Sequence, residues 1–283
     1  MILEPWQWAL GFACAFLNGL AKTGVPGLGI LVVPLMLYVV TDPRISPGVV
    51  LPLLCLADLF AVLYYRRHAQ WDRVVKLVPG VGLGLLLGMG GLWAFDHWHM
   101  PDDLLTKAIG AIVLAMIIMQ VVRKRLDERN GKQAGEQAVP PASPIRAAAF
   151  GSATGFATYI ANAAGPVMNL YLLSMALPKS EFMGTGAWFF FIINLVKVPQ
   201  YALQERITGD TLWFDLCVAP AVIVGALTGR WLFARIPQAL FERIILGLAV
   251  VATVTLFLPR QHTAAPAPQP TTIVPTPSEA RER

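Results

Sequence analysis

Apolar residues come in long unbroken runs, and polar residues fall between them in short clusters. Mainly apolar stretches cover residues 47–65, 74–95, 104–122, 182–203, 212–234 and 240–258. Each is about the ~20 residues an α-helix needs to cross a hydrocarbon core of ~30 Å. Two further apolar segments, 6–40 and 147–177, are too long for one straight span. Each is interrupted by a Gly/Pro-containing break, at 22–27 and at 160–166. The pattern predicts an all-α, polytopic membrane protein with no strand periodicity.

The order of these segments repeats. A broken segment is followed by three unbroken ones, then a polar stretch, then the same series again. Local matches support a duplication. Trp71, Pro79 and Gly84-xxx-Gly88 parallel Trp213, Pro220 and Gly225-xxx-Gly229; Met100-Pro101 parallels Ile236-Pro237; Gly24-Val25-Pro26 parallels Gly165-Pro166. Small residues four apart let membrane helices approach closely, so the glycine pairs are expected to pack helices. The predicted divisions are a first repeat at 1–122, a linker at 123–144, a second repeat at 145–258 and a disordered Pro/Thr/Ala-rich tail at 259–283.

Composition agrees. Of 283 residues, 56% are hydrophobic and only 14% charged, against about a quarter charged in soluble chains. The net charge of +5 lies mainly in loops beside apolar runs. That is the bias expected of cytoplasmic loops, so no nucleic-acid partner is implied. Cys14, Cys55 and Cys217 lie inside apolar segments without metal-ligand spacing. The N-terminus lacks a basic region and a cleavage site and reads as a retained segment. No phosphate loop, dinucleotide fingerprint or hydrolase motif is found, which argues against an enzyme and against a cofactor or metal.

Loop charges assign orientation. Arg66, Arg67, Arg73 and Lys76 follow the 47–65 run, whereas its counterpart is followed by Glu205, Arg206 and Asp210. Asp96, Asp102 and Asp103 follow the 74–95 run, whereas Arg230 and Arg235 end its counterpart. With a cytoplasmic linker, these contrasts place the repeats in opposite orientations. Each half must then cross an odd number of times. Three clear spans do so, so each broken segment must enter and leave on one side, as a re-entrant hairpin or a pair of spans, with both termini outside the cytoplasm. A conventional eight-span reading, each broken segment counted once, puts both termini inside.

Paired, interrupted segments in inverted repeats point to a transporter binding site. Half-helix N-termini at the breaks could hold an anion with backbone N–H groups. Candidate ligands there are Lys22, Thr23, Gly24 and Gly27 in the first break and Asn162 and Gly165 in the second. Ionisable residues inside spans add Asp58 and Lys197, with Asn194 near the repeat-equivalent of Asp58. Two cations and one carboxylate favour an anionic guest. A structural Lys22–Asp58 ion pair, and a Lys197 that snorkels to an interface, are the plainer alternatives. Rival functions are a cation or metal carrier using Asp58, and a non-transporting membrane scaffold or enzyme subunit.

Four stretches carry a family resemblance: GLAKTGVPGLGILVVPLML (19–37), LPLLCLADLFAVLYYRRHAQW (51–71), ATYIANAAGPVMNLYLL (157–173) and GTGAWFFFIINLVKVPQYA (184–202). In these the chain resembles the TauE/SafE sulfite exporter family, also called the sulfonate uptake permease family. The resemblance implies a multi-pass inner-membrane carrier of sulfite, a sulfonate or a related organosulfur anion. Many members have a glycine-only run where this chain has Lys22, Thr23, Val25 and Pro26, so a different anion is also in view. Expected partners are the small anion, membrane lipid and a coupling proton or sodium ion.

Overall fold

The computed structural model describes residues 3–40, 45–98, 118, 144–162, 164–237, 240, 243–244 and 247. Among these there are only helices: α1 (Pro5–Thr23), α2 (Gly29–Val40), α3 (Ser46–Tyr65), a short 3₁₀ turn (Arg66–His68), α4 (Trp71–Trp98), α5 (Pro144–Ala161), α6 (Ala164–Leu173), α7 (Lys179–Leu203) and α8 (Gly209–Arg235). Ser46–His68, Trp71–Gly91, Lys179–Leu203 and Gly209–Arg235 are long and apolar enough to cross a membrane. The protein is therefore an all-α polytopic membrane protein. The spans expected at 104–122 and 240–258, the linker and the tail lie outside the described residues, apart from a few isolated positions.

Both breaks fall where the Gly/Pro signals put them. Helix α1 starts with a capping box, Glu4 with Gln7, and Pro5 in its first turn, where a missing N–H costs nothing. It stops at Thr23, and the chain turns through Gly27 at φ 106°, a conformation that favours glycine. Gln7 Nε2 then donates to Val39 O at 3.0 Å, tying the start of α1 to the end of α2. The first broken segment is thus a hairpin whose two ends lie together. Its returning arm, α2, has 12 residues, about 18 Å at 1.5 Å per residue, too short to cross alone.

The second break is built differently. Asn162, at φ 51°, ends α5 in the left-handed conformation that asparagine tolerates at a helix C-terminus. Helix α6, with 10 residues, returns so that Tyr171 stacks on Phe150 near the start of α5, ring centroids 5.5 Å apart.

Glycines bring helices into backbone contact at matched places. A Cβ on Gly19 would collide with Val222 O and Ala226 N, and one on Gly225 with Phe16 O and Leu20 N, so α1 and α8 interlock in parallel. A Cβ on Gly155 would collide with Val81 O and Leu85 N, and one on Gly84 with Ser152 O and Phe156 N, so α5 and α4 interlock the same way. Helix α3 lies antiparallel to α7: Gly48 abuts Arg206 and Gly184 abuts Tyr65 and His68. Asp58 and Asn194, 136 positions apart, touch at the centre of that pair. The same offset carries Phe16, Gly19, Leu20 and Gly48 onto Ser152, Gly155, Phe156 and Gly184.

These contacts fix directions. Matching helices of the two series, α1 with α5, α3 with α7 and α4 with α8, run oppositely. Because α4 and α5 are parallel, the end of α4 and the start of α5 lie at opposite ends of the molecule.

Candidate functional site

A cavity of about 90 Å³ lies where the breaks meet, enough for several water-sized guests. Both interruptions line it, with Lys22, Pro26, Gly27 and Gly29 from the first and Asn162, Ala164 and Gly165 from the second. The first turns of α2 and α6 therefore face the same space, each with the partial positive charge of a helix N-terminus. Thr158, Asn169 and Asn194 add polar groups, while Phe182, Met183 and Phe190 form an apolar wall.

Two charge centres adjoin the cavity. In the first, Lys22 Nζ sits 2.7 Å from Asp58 Oδ1 and 4.1 Å from the centroid of the Phe190 ring. Asp58 is fully buried, and its Oδ2 accepts from Asn194 Nδ2 at 2.7 Å. In the second, Lys197 is also fully buried and donates to Thr158 Oγ1 at 2.9 Å and to Asn162 Oδ1. Asn162 Nδ2 donates onward to Pro47 O at 3.1 Å. The two centres differ in one respect: Lys22 faces a carboxylate, whereas Lys197 faces neutral oxygens.

Of the residues singled out by sequence, Lys22, Gly27, Asn162, Gly165 and Asn194 line the cavity. Asp58 and Lys197 sit behind it, each bonded to a lining residue. Thr23 and Gly24 are elsewhere. The single Thr23 hydroxyl proton is shared between Gly19 O at 3.0 Å and Ala226 O at 2.7 Å, and a Cβ on Gly24 would collide with Gly229. Both hold α1 against α8, where their hydrogen-bonding and packing are already spent. The ion pair expected as the plainer reading of Lys22 and Asp58 is present. Lys197 does not snorkel; it is enclosed by α3, α5 and α7 residues.

The sequence reading did not single out Asn169 or Asp215. Asn169 lines the cavity from α6. Asp215, on α8, is 5% exposed, and among the described residues neither of its oxygens has a hydrogen-bond partner. The signal was available for Asp215, a lone acid inside the 212–234 run.

Among the described residues, no group of three or more His, Cys, Asp or Glu side chains could hold a metal ion. The family model described as Sulfite exporter TauE/SafE matches residues 8–256, which takes in both charge centres and both breaks. No curated protein and no solved structure matches the chain.

Proposed function

Because this chain belongs to the TauE/SafE sulfite exporter family, we propose that it is a secondary transporter. It moves sulfite, a sulfonate or a related organosulfur anion across the inner membrane by alternating access between two inverted repeats. The observation that carries this reading is the charge balance around the cavity. Lys22 and Asp58 neutralise one another, and Lys197 is left with Thr158 and Asn162 as partners. A buried cation without a counter-charge is costly. An oxyanion in the cavity offsets that cost, approached by Lys22 and by the N-termini of α2 and α6.

Asn162 is the link between the guest and Lys197. Its carbonyl oxygen accepts from the lysine, and its amide nitrogen holds Pro47 O at the start of α3. An anion that draws Lys197 forward must pull on Asn162, and so on the α5 tip and α3 together. Asp58 serves either as the fixed counter-ion of Lys22 or as the carrier of a coupling proton, taken up when substrate claims Lys22 and leaves the carboxylate without its cation.

Uptake of sulfite and of methanesulfonate into proteoliposomes, with and without a pH gradient, tests the reading. Flux well above that of empty liposomes is expected, with inhibition by excess sulfonate and not by divalent metal. Metal-dependent flux insensitive to sulfonate would favour a cation carrier instead. An Asp58→Asn protein that transports with unaltered pH dependence would remove Asp58 as the proton carrier.

A further inference from the structure

Two buried tyrosines occupy matched positions at opposite ends of the α3–α7 pair. Tyr65 closes α3 and Tyr201 lies near the end of α7; the offset that relates Asp58 to Asn194 relates these two as well. Tyr65 is 1% exposed and Tyr201 0%. Tyr65 Oη donates to Thr23 O at 2.6 Å, the carbonyl at the tip of the first broken helix. Tyr201 Oη donates to Tyr159 O at 3.2 Å, near the tip of the second. An arginine covers each ring: Arg230 lies 5.2 Å from the Tyr65 centroid and Arg206 5.2 Å from that of Tyr201.

The carbonyls held are not arbitrary ones. Thr23 follows Lys22, the cation of the first charge centre. Tyr159 follows Thr158, which accepts from Lys197 in the second. Each tyrosine thus grips the backbone one residue beyond a side chain that holds the site's charge. A guest that displaces Lys22, or that draws Lys197 away from Thr158, shifts the peptide unit to which a tyrosine is bonded.

We propose that Tyr65 and Tyr201 are paired positioning residues that latch the tips of the two broken helices, one at each end of the site, and that the latches release alternately. This rests on the alternating-access reading. The bonds are suited to the task. A single neutral hydrogen bond contributes little net free energy, so loss of one biases a two-state equilibrium by about threefold to tenfold without unfolding the chain. The two differ in length, so the ends are not held equally in this conformation. On α7 the cavity lining runs from Asn194 toward Met183, on the Tyr65 side of the centre, while Leu54 of α3 lines it on the Tyr201 side.

The test reads conformation and not flux, so it does not depend on knowing the substrate. In protein lacking Cys14, Cys55 and Cys217, single reporters are introduced as Met183→Cys near the Tyr65 end and Ser46→Cys near the Tyr201 end. Thiol-labelling rates are then compared in Tyr65→Phe and Tyr201→Phe backgrounds. Tyr65→Phe is expected to speed labelling at 183 and slow it at 46, by about threefold to tenfold. Tyr201→Phe is expected to do the reverse, and the double variant to return toward the parent. Arg230→Gln and Arg206→Gln, which leave the hydroxyls in place, should shift the rates in the same respective directions by less. Both tyrosine variants moving both reporters the same way, or moving neither, would overturn the proposal. Opposite shifts in a protein that carries no sulfite or sulfonate would sustain the latches and refute the substrate reading.

Discussion

At the residue scale, the sequence exposes ionisable groups because each is expensive inside an apolar run. Lys22, Asp58 and Lys197 were legible for that reason, and so was a Lys22–Asp58 pair as the plainer reading, whereas the full burial of Lys197 was not. Burial of the Lys22–Asp58 pair makes a clear double-variant prediction. Lys22→Met strands the carboxylate and should lower stability by about 3 kcal/mol or more. Lys22→Met combined with Asp58→Asn should recover most of that, because both charges are gone, yet should not recover transport. Thermal unfolding of detergent-solubilised protein reads the first effect and proteoliposome flux the second. Thr23 and Gly24 are placed by tertiary packing. The sequence placed them at the break, but the face they present is decided by α8, a helix some 200 positions away. Thr23→Val should therefore cost about 1 kcal/mol of stability and leave anion affinity unchanged in a binding titration.

At the element scale, helix lengths and both interruptions were readable from apolar runs and Gly/Pro signals. The correspondence between breaks was less so. Local matching pairs Gly24-Val25-Pro26 with Gly165-Pro166, whereas the packing matches Thr23 with Tyr159: Gly229 meets Thr23 on one side and Gly88 meets Tyr159 on the other. The turns after these points differ in length and conformation, Gly27 in one and Asn162 in the other, so alignment by glycine and proline alone slips by several residues. Helix packing depends on the small residues as expected. Gly225→Leu should drive a side chain into the Phe16–Leu20 backbone, and Gly84→Leu into Ser152–Phe156. Each should destabilise by about 1–3 kcal/mol or more, read as lower yield of monodisperse protein and earlier thermal unfolding. Gly82→Leu, on a position with open space around it, should do neither.

At the scale of the whole molecule, helix directions sort the charges. Arg66, Arg67, Arg73, Lys76, Arg146, Lys179, Arg230 and Arg235, with only the acids Asp72 and Glu181 among them in the described residues, fall at the end where α3 stops and α5 starts. Glu4, Glu205, Arg206 and Asp210 fall at the other. By the positive-inside bias the Tyr65 end is predicted to face the cytoplasm. The loop after α7 is one place where the inverted and the eight-span arrangements differ. In the inverted arrangement, Gln204→Cys in cysteine-free protein reacts with an impermeant thiol reagent added outside intact cells. In the eight-span arrangement it reacts only in inverted vesicles. The sequence suggested the inversion from small charge differences. The hairpin closure by Gln7 on Val39 could not be read there, because a single buried amide at position 7 has no local signature.

The claim on which the mechanism turns is that a buried lysine without a counter-charge, beside two half-helix N-termini, binds an oxyanion. Calorimetric titration of the purified full-length protein with sulfite and with methanesulfonate, repeated on Lys197→Met, tests it most directly. Saturable binding to the parent is expected, weakened about tenfold or more in the variant, since truncating one partner of a buried charge contact costs 2–5 kcal/mol. Equal affinity in the two proteins, or no binding to a folded parent by either anion, would contradict the account.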